Sequence, residues 1–486
     1  MIYKLRPYQE ECVKSISDYI NSDRHDPVLI VGPVGCGKSL LIAEAARLMG
    51  DKTLILQPSK ELLQQNHDKI TSYGIPATIY SASCGKKELS NMIYATLGSI
   101  NKVVDKLKEM GIRNVLIDEA HAGYSPEDGS EFMTFMNELK PKKVIGFTAT
   151  PCRLKTMSIG QVSYSQLNFI TRMRPVYFKN LIHVIQVEEM IRQGFWTPLE
   201  YETWDFNGDA LKLNSKGSEY TAESISEAVR KNGLNNLILR RLMVLKDVCR
   251  SILVFMDSVE SCNTAAEWMN AKICAGMAEV VHGGTPKRQR EAIVERFKSG
   301  GTQVVFNYSA LGTGFDHPGL DCVVFGRPTF SFSTWYQAIG RAVRIKDGKD
   351  SAMVVDCCDN SSRFGDIRGL SIENYKGYGW GMFIDDKLIT NIPMGDKVTK
   401  TDLDIKAAKK DRRRGLAQGV TAAPIPGRPP HPLGSTVMAF GKYSGWMLHS
   451  IPVSYFKFIN ETFDWDNDRN KDIKEYIDFL IKNNRL

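Results

Sequence analysis

The stretch VLIVGPVGCGKSL, residues 28–40, constrains this chain more than any other. Val28 to Val31 is a short run of β-branched and aliphatic residues, the pattern of a parallel strand buried on both faces. Gly32 to Ser39 then reads G-x-x-x-x-G-K-S, and an apolar helical pattern follows through Leu40, Leu41, Ala43, Ala46 and Leu48. Strand, glycine-rich turn and helix in that order make a phosphate-binding loop. Its physics is anion binding: backbone N–H groups of the loop and of the helix N-terminus point at phosphate oxygens. Gly32 opens the loop, and Gly35 and Gly37 let the backbone turn and approach the ligand closely. Lys38 is placed to reach the β- and γ-phosphates, and the Ser39 hydroxyl to help hold Mg²⁺. The chain is therefore expected to bind a nucleoside triphosphate.

The rest of the lobe is read from alternation. Thr53–Leu56, Ala77–Tyr80, Met92–Ala95, Val115–Ile117 and Val144–Phe147 read as strands, with helical patterns between several of them. Polar motifs sit at the C-terminal ends of these strands, the edge where ligands bind in a doubly wound α/β domain. One of them is Asp118-Glu119-Ala120-His121. An acidic residue at the end of an apolar strand can hold Mg²⁺ beside the phosphates, and the next carboxylate can polarise water for in-line attack. A second alternating pattern begins near residue 216 and carries no phosphate loop. Its helix Ser333–Arg344 contains Gln337, Arg341 and Arg344. The two arginines are three apart and are expected on one helical face, where two guanidinium groups can clamp charge on a transferring phosphoryl group.

Composition bounds the remainder. A chain of 486 residues has room for about three domains of ~150 residues. The net charge of +8 permits a nucleic-acid partner without demanding one. No run of about 18 apolar residues occurs, so no membrane span is expected. The N-terminus lacks a signal-peptide core. The ten cysteines include no C-x-x-C pair, which fits reduced thiols in a cytoplasmic protein without structural zinc.

In the order Gln9, Lys38, Asp118–His121, Thr148–Thr150 and Gln337–Arg344, these motifs resemble a superfamily 2 helicase or translocase of the DEAH-box type. The resemblance covers residues 3–360 and implies two tandem RecA-like doubly wound parallel-sheet lobes, an α/β fold. It implies that Gln9 reads adenine, that Lys38, Ser39, Asp118 and Glu119 carry the ATP and Mg²⁺ roles given above, and that Arg341 and Arg344 are arginine fingers. Gln337 falls near the γ-phosphate, and Gly314 and Asp316 in a motif that senses ribose and nucleic acid. His121, Thr148 and Thr150 relay nucleotide state. Ser59, Thr96 and Ser99 on the first lobe, with His282, Gly283 and Thr313 on the second, fall where the family meets the phosphodiester backbone. The Q-A-I-G-R-A-V-R form of the second-lobe motif is similar to DNA-acting motors, including branch-migration helicases of large tailed phages.

The expected layout is a first lobe at 1–160, a connection at 161–215, a second lobe at 216–365, a basic and Pro/Gly-rich linker at 366–434, and a small α-rich module at 435–486. The module, with Phe440-Gly441-Lys442-Tyr443 and an amphipathic helix, resembles the terminal domain of exonuclease X-type nucleases and is expected to dock DNA or a protein partner. The leading expectation is an ATP-driven DNA helicase acting on duplex or branched DNA in replication, recombination or repair, in a bacterial host's cytoplasm if phage-encoded. An RNA helicase, and an ATP-switched adaptor that recruits a nuclease or replication partner, stay open beside it.

Overall fold

The computed structural model describes residues 4–483, apart from 51, 160–161, 216, 311–316, 377, 395, 406, 408–430, 437, 439–446 and 463–469. The chain divides into two compact units, Met1–Lys400 and Thr401–Leu486.

The first unit is built on two sheets. In spatial order the eight-stranded sheet runs Asn180–Val184, Val28–Val31, Lys143–Thr148, Asn114–Ile117, Thr53–Leu56, Met92–Ala95, Thr78–Ser81 and Lys86–Lys87. All its pairings are parallel except the last. Val28, Leu29, Ile30 and Val31 are all buried, as their unbroken apolar run requires of a strand covered on both faces. The parallel register brings Val31 beside Thr148 and Leu56 beside Ile117. The phosphate loop, Asp118–His121 and Thr148–Thr150 therefore leave the sheet at one edge.

The six-stranded sheet is parallel throughout and runs Leu199–Thr203, Ala352–Asp356, Cys322–Phe325, Ile252–Phe255, Val304–Tyr308 and Ala278–His282. The helix Phe332–Ala342 contacts the Cys322–Phe325 and Ala352–Asp356 strands and buries Phe332, Trp335, Tyr336 and Ile339.

Several boundaries differ from the sequence expectation, each for a local reason. The first sheet extends past residue 160, because Asn180–Val184 pairs in parallel with the phosphate-loop strand. Just before it, Cys152–Ile159 and Val162–Phe169 form an antiparallel hairpin. Residues 222–248 form two helices, Ala222–Lys231 and Leu234–Val248, separated where Gly233 adopts φ 60°. Residues 370–399, expected within a linker, form a small antiparallel sheet instead. In it Leu370–Tyr375 pairs with Gly379–Ile384, and Ile372, Met382 and Phe383 are buried. The Gln186 side chain ties this sheet back to the first lobe, donating to Ile372 O at 2.8 Å and accepting from Ile372 N at 3.1 Å.

In the second unit the helices Val453–Thr462 and Lys471–Lys482 bury Phe456, Ile459, Ile473, Tyr476, Ile477 and Leu480 together. Ile481, on the second of these helices, is exposed. Phe440–Tyr443 and the basic run at 409–414 lie outside the described residues. Among the described residues no helix is long and apolar enough to cross a membrane.

Candidate functional site

A cavity of about 550 Å³ opens between the two lobes, lined from the first by Gln9, Gly35, Gly37, Lys38, Ser39, Asp118 and Glu119 and from the second by Gln337, Arg341 and Arg344. Its floor is the phosphate loop. Gly35 and Gly37 hold φ of 81° and 82°, a left-handed backbone that a side chain resists. A Cβ on Gly37 would also stand 2.6 Å from Gln9 Nε2. Gln9 itself spans two elements. Its Oε1 accepts from Arg6 N (2.9 Å) at the start of helix Pro7–Asn21, and its Nε2 donates to Cys36 O (2.8 Å) in the loop.

Lys38 Nζ is bonded to Glu119 Oε1 and lies 3.9 Å from Asp118 Oδ1. Burial pushes the Asp118 carboxyl up to about 6, against the pull of the Lys38 charge. Burial pushes Glu119 the same way, but Lys38 and His121 outweigh it and hold that carboxyl below its ordinary range. Glu119 also adopts φ 46°, and its N–H donates to Asp118 Oδ1 at 2.8 Å.

Asn66, on the buried face of helix Lys60–Ser72, joins this cluster and was missed in the sequence. Its Oδ1 accepts from Ser39 Oγ (2.6 Å), and its Nδ2 donates to Asp118 Oδ2 (3.0 Å) and Gln57 Oε1 (3.1 Å). One amide thus orients both oxygens expected to hold a metal ion, as outer-shell groups do in metal sites. The only advance signal was a polar residue on the apolar side of an amphipathic helix.

From the second lobe, the Phe332–Ala342 helix meets the phosphate loop directly. A Cβ on Gly340 would stand 2.5 Å from Val34 Cβ, so this close approach needs glycine. Burial lowers the Arg341 guanidinium to about 10 and lowers Arg344 too, with Glu119 supporting the charge on Arg341. The helix ends at Ala342, so Arg344 lies just beyond it rather than on its face.

His121 Nδ1 lies 2.8 Å from Thr148 Oγ1 and 3.4 Å from Glu119 Oε2, and Thr150 N donates to Thr148 Oγ1 at 3.0 Å. Burial drives His121 down to about 4, so it is neutral at physiological pH. Arg153, also missed, fixes the Asp118–His121 turn by donating to His121 O (2.6 Å), Ala120 O (3.2 Å) and Tyr124 O (2.6 Å).

Of the residues expected to meet nucleic acid, Ser59, Thr96, Ser99, His282 and Gly283 do not line the cavity. Ser59 caps helix Lys60–Ser72, accepting from Leu62 N at 3.3 Å. Thr96 donates to Ser99 Oγ (3.1 Å), which accepts from Ala82 N (3.0 Å). His282 turns back to accept from Gly284 N at 3.1 Å, closing the turn that contains Gly283. Thr313, Gly314 and Asp316 lie outside the described residues.

A phosphate loop on one parallel lobe is faced by paired arginines from a second, and each lobe matches a helicase-type domain family. Residues 2–153 match the family described as type III restriction enzyme, res subunit, and residues 234–346 match the helicase conserved C-terminal domain. The chain is 24% identical over 279 residues to IRC3 of Saccharomyces cerevisiae, named as an ATP-dependent helicase, a match covering 57% of this chain and 38% of that one. It is 24% identical over 332 residues to the 51.5 kDa protein of a Lactococcus phage, covering 68% and 65%. The chain thus spans less than two thirds of the length of either relative. Its fold is similar to that of the ATP-dependent Type ISP restriction-modification enzyme LlaBIII bound to DNA, with a TM-score of 0.53 at 15% identity, covering 73% of this chain and 28% of that one. Other relatives carry the names of DNA helicases and of an RNA helicase.

Proposed function

We propose that this chain hydrolyses ATP and uses the cycle to move along nucleic acid, with DNA as its substrate. The observation that carries the reading is one cavity lined by Lys38, Asp118 and Glu119 from one lobe and by Gln337, Arg341 and Arg344 from the other. In this reading the loop N–H groups and Lys38 hold the β- and γ-phosphates, and Gln9, fixed between Arg6 and Cys36, reads the adenine. Ser39 Oγ and the Asp118 carboxylate, both oriented by Asn66, are hard oxygen donors that fit Mg²⁺. Mg²⁺ held there would supply positive charge that neutralises the triphosphate. Lys38 pairs with Glu119, and in this reading Glu119 orients and deprotonates the attacking water. Arg341 and Arg344 stabilise charge on the transferring phosphoryl group, and Gln337 stands near it.

Because the donors come from two lobes, ATP favours closure and hydrolysis relaxes it. The chain His121–Thr148–Thr150 carries that change toward the outer edge of the first lobe. Ser59, Thr96 and Ser99 on one lobe, and His282, Gly283 and Thr313 on the other, grip backbone phosphates without reading sequence, so binding is salt-sensitive. The DEAH-box type rests on residues 118–121, and the lean to DNA, and within it to branched DNA, rests on residues 337–344 and on the resemblance of the C-terminal module. The C-terminal unit serves substrate or partner docking, and the setting is the cytoplasm, a bacterial host's if the chain is phage-encoded. The test is steady-state ATPase rate with no nucleic acid, single-stranded DNA, duplex DNA, a four-way junction and single-stranded RNA. Stimulation by DNA, highest with the junction, supports the reading. Stimulation by RNA alone moves the chain to RNA helicases, and none with any of them favours the adaptor.

A further inference from the structure

We propose that Phe195, Trp196 and Thr197, at the end of the passage between the lobes, form a strap that ties the phosphate loop to Arg344, with Thr197 as the positioning residue of that arginine. The inference rests on the nucleotide cleft proposed above and goes beyond it.

These three neighbours reach three parts of the cleft. The Phe195 ring lies 5.3 Å from that of Tyr8 and 4.4 Å below the Arg6 guanidinium, beside Gln9. Trp196 Nε1 donates to Val34 O in the phosphate loop at 2.9 Å, and a Cβ on Gly35 would touch the same indole at 3.6 Å. Thr197 faces the other lobe. Its N–H donates to Val343 O and its hydroxyl to Arg344 O, both at 2.8 Å. Trp196 and Thr197 are each 3% exposed, so these bonds are shielded from competing water. One residue later, Pro198 O accepts from Ala352 N at 2.8 Å and the chain enters the second sheet.

The need for such a strap follows from where the arginine helix stops. Carbonyls in the last turn of a helix lack intrahelical partners, and a residue beyond the end has no helix to fix its direction. Arg344 is two residues past Ala342. Thr197 donates to the carbonyls of Val343 and Arg344, and Lys349 Nζ donates to Ala342 O (2.5 Å) and Arg344 O (2.9 Å). Movement of Val34 on nucleotide binding therefore pulls on Trp196, and through the adjoining peptide on the group that aims Arg344. A 1 Å error in such a group costs up to about 100-fold in rate.

The experiment is a double-mutant cycle of Thr197→Val and Arg344→Ala in the full chain, reading kcat of nucleic-acid-stimulated ATPase and the affinity for a fluorescent ATP analogue. Thr197→Val keeps shape and removes the hydroxyl donor. Alone it is expected to lower kcat about tenfold with the analogue's affinity held within about twofold, and Thr197→Ser restores the rate. In the Arg344→Ala background, Thr197→Val costs nothing further, because its effect runs through that arginine. Tryptophan emission of the chain, which has 7 tryptophans, shifts on adding the analogue, and Trp196→Phe removes most of the shift. Full additivity in the cycle, an unchanged kcat in Thr197→Val, or a shift untouched by Trp196→Phe overturns the strap while leaving the ATPase reading intact. A wild-type chain that neither binds the analogue nor hydrolyses ATP overturns both.

Discussion

The two lobes share a plan and differ at one turn. In the first, the strand Val28–Val31 feeds helix Lys38–Met49 through a loop whose N-cap is Gly37, with no side chain to cap the helix. In the second, Ile252–Phe255 feeds helix Val259–Lys272 through Met256-Asp257-Ser258, and Ser258 Oγ accepts from Ser261 N at 3.0 Å. The same strand-to-helix junction therefore offers its N-terminal donors to a ligand in one lobe and satisfies one of them internally in the other. Duplicated architecture does not duplicate a site. The second lobe contributes through a different helix, the one that carries Gln337 and Arg341.

The comparison is broken most severely at Lys38. Lys38→Ala removes the cation that bonds Glu119, lies 3.9 Å from Asp118 and, on the proposed reading, holds the γ-phosphate. Its kcat should fall by about 10²–10³-fold or more, measured as steady-state ATPase. Each lobe also carries a buried histidine pushed down to about 4: at His121 Glu119 partly offsets burial while Lys38 and Arg153 add to it, and at His317 Lys346, Lys298 and Lys349 add to it. Because that value lies below the ordinary 6.5, the unfolded chain takes up the proton first as pH falls. Stability is lost between about 6.5 and about 4, by up to about 3 kcal/mol from this group. His317→Gln, which keeps a partner for Ser251 Oγ and cannot protonate, should flatten denaturant midpoints across that window.

A smaller change sharpens the first-lobe side. Asn66→Ala leaves Ser39 and Asp118 in place without their common orienting amide, and should weaken the Mg²⁺-dependent part of nucleotide affinity about tenfold. The readout is the affinity for a fluorescent ATP analogue with and without Mg²⁺. Smallest of all, Ser258→Ala should cost about 1 kcal/mol in thermal unfolding and leave nucleotide affinity unchanged.

What could be read in the sequence was what is local. The loop 32–39, the acidic strand end at 118–119 and the arginine spacing at 341–344 are runs in which residue type and chemistry coincide, and the apolar runs before them gave the strands. What could not be read depended on chain meeting chain. Asn66 gains meaning because helix Lys60–Ser72 passes over Ser39 and Asp118. Trp196 and Thr197 look like ordinary connection residues until the second lobe folds back on the first. Arg344 was placed on a helix because spacing alone does not mark the last turn. Residues 370–399 read as a linker because short strands joined by glycine-rich turns resemble loops in any single stretch.

The central claim is that the first lobe binds the nucleotide and the second completes the chemistry. Its most direct test is Arg344→Ala, with ATP-analogue affinity and nucleic-acid-stimulated ATPase measured on the same preparation. The account predicts affinity close to wild type with turnover reduced about 10²-fold or more. Normal turnover in that variant would contradict it.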